Sequence, residues 1–333
     1  MCAGQHLNDT TVQDRVDRVR SGDVRFVSRL IRKLEDGSLP AKEVVKALYP
    51  HTGKARVIGL TGAPGAGKST LSDALITCYR KQGKDIGVLA VDPTSPFTGG
   101  AILGDRVRMQ KHAEDPHVYV RSFATRGALG GLADAVDDAA HVLDAMGKDI
   151  VLIETVGIGQ SEVDIMNNAH SVVLVLTPGM GDEVQTIKAG VMEVADLFVI
   201  NKADRPGTAK LYQELNRALD MAPDFPSGWR PPILKVENLI HPKEFLAKVD
   251  ELRVKLDEHF QVLMDKEILA DRERRKASVQ FRHSLKRSVL DPVLNDLNAS
   301  GRMESLLEKL LAKETDPYSL AEEVAGWYRK QQQ

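Results

Sequence analysis

The stretch "GAPGAGKST" (62–70) sits between the apolar run "ARVIGLT" (55–61) and the helical-looking "LSDALITCYRKQ" (71–82). Gly62, Gly67, Lys68 and Ser69 match the G-x-x-x-x-G-K-[ST] pattern, in the strand-before, helix-after order that makes the pattern meaningful. The loop Gly62, Ala63, Pro64, Gly65, Ala66 and Gly67 would wrap phosphate oxygens, its glycines letting the backbone N–H groups (all but that of Pro64, which has none) turn inward. Lys68 would reach the β and γ phosphates, the Ser69 hydroxyl would ligate Mg²⁺, and Thr70 would add an amide at the positive end of the helix.

Two further stretches bring carboxylates to strand ends. "VLIETVGIGQSE" (151–162) carries Glu154 and Gly157 where many nucleotide switches have Asp-x-x-Gly. Glu154 can hold Mg²⁺ through water or orient the attacking water, and the Gly157 N–H can sense a γ phosphate. In "LAVDPTSPFTGGAILGDRVRM" (89–109), Asp92 and Asp105 bracket a segment rich in Gly, Thr, Ser and Pro, and each is a candidate for the Mg²⁺ sphere. Lys68, Glu154 and Asp92 form the candidate catalytic set. Arg106, Arg108 and Arg126 are candidates for stabilising transition-state charge.

The base is read by "NKAD" (201–204) at the end of another apolar run. The Asp204 carboxylate would accept from both N1–H and the 2-amino group of guanine, a pair of donors adenine lacks. Lys202 would lie over the purine, and Asn201 would tie this loop to the phosphate loop. Losing two charge-assisted hydrogen bonds in a closed slot is worth a preference of at least ~10³ for GTP over ATP.

These residues need a scaffold, and the remaining sequence supplies one. The runs "ARVIGLT", "DIGVLAV", "HVYVRS", "DIVLIETV", "SVVLVLT", "DLFVIN" and "PPILKV" alternate with longer helical segments. Strands apolar on both faces belong to a mostly parallel sheet covered by helices. The spacing predicts an α/β phosphate-loop NTPase domain over 51–260, preceded by a helical extension over 1–50 and followed by a helical region over 261–333. In the extension, Val12, Val16, Val19, Val27, Leu30, Ile31 and Leu34 recur at helical spacing, with a break at "EDGSLP" (35–40). Near the C-terminus, "MESLLEKLLAKE" (303–314) has a leucine stripe that packs either on its own domain or on a second copy.

Composition narrows the partners. Lysine and arginine total 45 against 47 aspartates and glutamates, a net charge of −2 that gives no support for nucleic acid or an anionic membrane as main partner. Cys2 and Cys78 are the two cysteines, far apart, which suggests neither a disulfide framework nor a cysteine metal site. The first twenty residues have no apolar signal core, and no apolar run approaches the ~20 residues that span a bilayer, so a cytoplasmic location is expected.

The set "GAPGAGKST", "VDPTSPFTGGAILGDRVRM", "ATRGALGGLA", "ETVGIGQSE" and "NKAD" resembles the MeaB/ArgK-type (MMAA-like) GTPases, accessory proteins of adenosylcobalamin-dependent methylmalonyl-CoA mutase. The resemblance runs over about residues 15 to 330 and is most specific in "TGGAILGDRVRM". It implies a homodimeric GTPase chaperone, dimerising through its C-terminal helices, that gates cobalamin delivery and protects the mutase. It also implies that Lys68, Ser69, Asp92, Asp105 and Glu154 occupy nucleotide and magnesium positions. Gln160, Asp182 and Lys188, the last two within "TPGMGDEVQTIK" (177–188), would signal to the mutase. One departure stands out: in "ILKVENLIHPKEF", Glu237 and Asn238 replace the small residues that usually support guanine, and Pro242 replaces glycine. A carboxylate at the purine rim predicts weaker guanine-nucleotide binding than is usual there.

Two other readings share the phosphate loop. A nickel-insertion GTPase would need a Cys/His cluster, whereas His112, His117, His141 and His170 are scattered and Cys78 stands alone. A transport-associated kinase or ATPase conflicts with "NKAD", which selects guanine.

Overall fold

The computed structural model describes residues 11–92, 112, 114–124, 129–155, 169–179, 195–221, 225, 228–237 and 241–331, with backbone alone at 92, 129–133, 283 and 329–331. The described residues divide into two compact units, 1–269 and 270–333.

The first unit is built on strands β1 (Arg56–Gly62), β2 (Ile86–Asp92), β3 (Val118–Ala124), β4 (Ile150–Glu154), β5 (Ser171–Leu176), β6 (Leu197–Asn201) and β7 (Ile233–Val236). They lie side by side in the order β3-β2-β4-β1-β5-β6-β7, and every pairing is parallel. Each of the seven apolar runs is a strand. Because β1 is flanked by β4 and β5, the chain leaves it in one direction toward β2 and later crosses to the other side. That reversal opens a crevice at the C-terminal ends of the strands, where ligands of such sheets bind.

The helices of this unit are α1 (Val12–Arg20), α2 (Val24–Glu35), α3 (Leu39–Leu48), α4 (Lys68–Lys81), α5 (Leu129–Ala145), α6 (Thr208–Asp220) and α7 (Pro242–Asp265). Alternation along the strands decides which helix meets which residue. Val57, Leu89, Val91, Val151 and Ile153 join one core with α1–α3 and α5, while Ile58, Leu60, Val88, Leu152 and Val173 join another with α4 and α7. On the former face, Leu174, Phe198 and Ile200 pack with Leu211, Leu215 and Leu219 of α6. The N-terminal helices are therefore part of the sheet's cover. Thr11 and Asp14 form a capping box at the start of α1, and the Asp23 carboxylate accepts from the Phe26 N–H at the start of α2. Of the apolar positions expected on these helices, Val12 is exposed; the other six are buried.

One long-range contact sets the approach to β1. The Asp144 carboxylate, at the end of α5, accepts from the backbone N–H groups of Gly53 at 2.6 Å, Lys54 at 3.2 Å and Ala55 at 2.9 Å. It pins the chain just before the strand that carries the phosphate loop.

The second unit contains most of α8 (Ile268–Leu285), which runs through a π-helical turn at Lys286–Leu290 into α9 (Asp291–Ala299), then α10 (Arg302–Leu311) and α11 (Pro317–Gln331). Its core is small: Leu297, Leu306 and Leu320, with Val293, Met303, Leu310, Val324 and Trp327 against them. The 303–314 stripe is thus divided. Met303, Leu306 and Leu310 face their own unit, whereas Leu307 is 43% and Leu311 83% exposed. Among the described residues, no helix is long and apolar enough to cross a membrane.

Candidate nucleotide site

The phosphate loop leaves β1 at Gly62, which pairs in register with Val175 of β5. A methyl carbon at Gly62 would fall onto the Val175 carbonyl oxygen, so the close packing of β1 on β5 admits only glycine. The loop closes with Ala66 N–H donating to the Ala63 carbonyl at 3.1 Å, and α4 begins directly after Gly67. Gly67 has φ +93° and offers no side chain to cap the first-turn amides of α4, an arrangement that presents them to an anion. The Lys68 ammonium, on a side chain nearly closed off from solvent, donates to the carbonyls of Gly62 at 2.8 Å and Ala63 at 3.1 Å. Pro64 and Gly65 are exposed at the loop's tip, and Ala63 and Thr70 are half-buried.

The "NKAD" segment, the candidate base reader, is physically joined to this loop. Asn201, the last residue of β6, donates from Nδ2 to the Ala66 carbonyl at 2.7 Å and accepts from the Lys202 N–H at 2.9 Å. Lys202 takes a left-handed conformation, φ +54°, and its Nζ donates to the Gly65 carbonyl at 2.8 Å. A non-glycine residue in that region is uncommon and needs surrounding contacts to hold it. Two successive carbonyls of the phosphate loop are therefore held by two successive side chains of the base loop. A methyl carbon at Gly67 would land on Asn201 Nδ2, so the glycine is what lets the two loops close together. Asp204 is exposed beyond this contact. The Ala203 N–H donates to the Val236 carbonyl at 3.1 Å, which ties the base loop to the end of β7, and the exposed Glu237 follows immediately.

Glu154 ends β4, held in register with Leu60 of β1 and Ala90 of β2. Its carboxylate is 5% exposed and accepts from Ser69 Oγ at 2.6 Å and from Ser72 Oγ at 2.8 Å. The first bond brings two of the sequence-proposed metal residues together. The hydroxyl proton of Ser69 points at the carboxylate, and its lone pairs point away. Hydroxyl and carboxylate oxygens are the hard donors that Mg²⁺ prefers, so the donor set present fits that ion. Next door, Thr155 Oγ1 lies 3.1 Å from Thr61 Oγ1, joining the ends of β4 and β1 beneath the phosphate loop.

The sequence reading missed Ser72 and the Thr61–Thr155 pair. Ser72 could have been found, because it lies three residues after Ser69 and hence on the same face of α4. For Asp92 the structure gives the backbone alone, at the end of β2. Asp105, Gly157, Gln160, Asp182, Lys188, Asn238, Arg106, Arg108 and Arg126 lie outside the described residues.

Other clusters do not compete with this site. Ser171 Oγ lies 2.9 Å from His259 Nδ1, and His259 Nε2 lies 3.3 Å from Asp196 Oδ1. These are the residue types of a serine hydrolase with the ring nitrogens in reversed roles. Ser171 and His259 are both 0% exposed, Ser171 at the N-terminal end of β5, away from the strand ends that carry the phosphate loop, so they clasp α7 to β5 and β6. His112 pairs with Asp73, His117 with Asp85, His141 with Tyr49 and His170 with Val57 N–H. Among the described residues no group of three or more His, Cys, Asp and Glu could hold a metal ion. Burial pushes the Cys78 thiol up, away from the thiolate form that ligates metals.

Comparison with known proteins identifies the family. The family model "Methylmalonyl Co-A mutase-associated GTPase MeaB" matches residues 28–298. A putative GTPase of Pyrococcus abyssi is 46% identical over 318 residues, 94% of this chain and 95% of that protein. The mitochondrial methylmalonic aciduria type A homolog of Caenorhabditis elegans is 39% identical over 196 residues, 58% of this chain and 49% of that protein. A crystal structure titled LAO/AO transport system kinase superposes with a TM-score of 0.71 at 22% identity, covering 97% of this chain and 99% of that one. At that identity the likeness speaks for the fold, which is the phosphate-loop α/β fold described above. The chain is a GTPase and belongs to the MeaB family of methylmalonyl-CoA mutase-associated GTPases.

Proposed function

We propose that this protein is a cytoplasmic, homodimeric GTPase chaperone of an adenosylcobalamin-dependent acyl-CoA mutase, methylmalonyl-CoA mutase in the first instance. It gates cofactor loading and protects the mutase from inactivation, with the C-terminal helices over 261–333 as its dimerisation region. The family description and the name of the nematode relative support the choice of mutase. The observation that supports the reading is the junction of Asn201 and Lys202 with the Gly65 and Ala66 carbonyls, which would couple guanine recognition to phosphate binding as one mechanical unit.

In this reading the phosphate-loop amides and the Lys68 ammonium take the β and γ phosphates, and Asp204 reads the guanine edge. Ser69, Asp92 and Asp105 would hold Mg²⁺, with Glu154 behind Ser69, and the bound ion would supply positive charge against the developing phosphate charge. Glu154 then keeps the Ser69 hydroxyl oriented, and its negative charge favours a cation beside it. Water attacks the γ phosphorus in line, releasing phosphate and GDP. Gly157, Gln160, Asp182 and Lys188 carry the difference between the two nucleotide states to the mutase, and Glu237 and Asn238 loosen guanine binding at the rim.

A nucleotide can bias a partner only through differential affinity. The mutase is therefore expected to bind the GDP form and the form loaded with a non-hydrolysable GTP analogue with affinities differing at least about fivefold. Titration of labelled mutase against each form measures this. Equal affinities would remove the gating role.

A further inference from the structure

We infer that Ser72 is a positioning residue for GTP hydrolysis: its hydroxyl fixes the Glu154 carboxylate so that Ser69 presents its lone pairs to the metal. The inference rests on the reading of Glu154 given above, and takes it one contact further out.

Ser72 is an anomaly by ordinary helix rules. It sits inside α4, with 0% exposure, where alanine would favour the helix more and a buried hydroxyl is costly unless bonded. Serines in helix interiors usually satisfy themselves on the carbonyl four residues back. Ser72 instead donates across to Glu154 Oε2 at 2.8 Å. The recipient has little freedom of its own. Its backbone is locked between β1 and β2 by the Leu60 and Ala90 pairings, so only side-chain torsions remain to be set. Ser69 takes Oε1 and Ser72 takes Oε2, one helical turn apart, so each oxygen of the carboxylate has a serine donor that helps orient it.

The two bonds have different prospects during turnover. Ser69 must serve the carboxylate and a cation at once. Among the described residues Ser72 makes no other hydrogen bond, so it can stay as the fixed anchor. Without it, Oε2 becomes a buried acceptor that has lost a donor, and the carboxylate turns to recover one. Ser69 then loses the acceptor that aims its lone pairs. The amides of the phosphate loop and Asp204 are untouched, so binding of the nucleotide itself is spared.

The test uses the full chain and four variants: Ser72→Ala, Ser72→Thr, Glu154→Gln and the double variant Ser72→Ala/Glu154→Gln. Ser72→Ala is expected to lower kcat for GTP about tenfold and to raise the Mg²⁺ concentration for half-maximal rate. KM for GTP and the affinity for a fluorescent GDP stay within about twofold. Ser72→Thr, which keeps the hydroxyl, restores most of the rate. The double variant is no slower than Glu154→Gln alone, because both changes act through one carboxylate. Wild-type kcat and Mg²⁺ dependence in Ser72→Ala would overturn the inference, as would a loss of GDP affinity that accompanies the loss of rate. If Glu154→Gln itself hydrolyses GTP at the wild-type rate, the assignment of Glu154 fails first. If Glu154→Gln is slow and Ser72→Ala is normal, the assignment of Ser72 alone fails.

Discussion

Glu154→Gln is expected to lower kcat for GTP by about 10²-fold or more while GDP still binds. Glutamine has nearly the same shape, and serine hydroxyls can donate or accept, so the contacts with Ser69 and Ser72 can persist in a rearranged form. What disappears is the negative charge. In a side chain only 5% exposed, that charge is poorly screened and acts strongly on anything within a few ångströms. In the proposed site it would favour a cation at Ser69 and act on the water that attacks the γ phosphate. Both effects bear on the transition state more than on nucleotide binding, which places the loss in kcat. Single-turnover hydrolysis with a parallel fluorescent-GDP titration separates the two. A variant that binds and hydrolyses normally would show that Glu154 only ends its strand.

The second large effect is expected from Gly67→Ala. The backbone there has φ +93°, which costs an L-residue about 1–2 kcal/mol, and the added methyl lands on Asn201 Nδ2. Moving Asn201 away breaks its bond to the Ala66 carbonyl and leaves buried polar atoms unpaired, a further ~1–3 kcal/mol. The same displacement uncouples the "NKAD" segment, proposed to read guanine, from the phosphate loop. Guanine-nucleotide affinity is therefore expected to fall by about 10²-fold or more, at 1.4 kcal/mol per decade. A GDP titration alongside thermal melting of the nucleotide-free protein checks it. Affinity within about threefold of wild type would mean that the two loops are not held together through Asn201.

Much of this architecture was legible in the sequence because its signals are local. Each apolar run became a strand, since a stretch such as "IVLIE" has no polar face to offer solvent. The glycine loop, the carboxylate at Glu154 and the "NKAD" tetrapeptide stand at strand ends, where a parallel sheet gathers them on one edge. What was not legible depends on distance along the chain. Helical spacing puts Ser69 and Ser72 on one face, but only the fold brings that face to Glu154, 82 residues beyond Ser72. The Asp144 clasp on Gly53, Lys54 and Ala55 is of the same kind, a carboxylate satisfied by amides about ninety positions away, at separations of 89, 90 and 91 residues. The leucine stripe of 303–314 was legible only in part, for another reason. Periodicity names a buried face without saying how wide it is, and here one edge packs inward while Leu307 and Leu311 stay exposed.

The central claim is that GTP hydrolysis serves a mutase, and steady-state turnover tests it most directly. GTP hydrolysis by the purified protein would be measured alone and with increasing amounts of an adenosylcobalamin-dependent methylmalonyl-CoA mutase, with ATP in parallel. The account predicts slow GTP turnover by the protein alone, at least about tenfold acceleration by the mutase, and negligible ATP turnover throughout. A GTP rate unchanged at saturating mutase would contradict it.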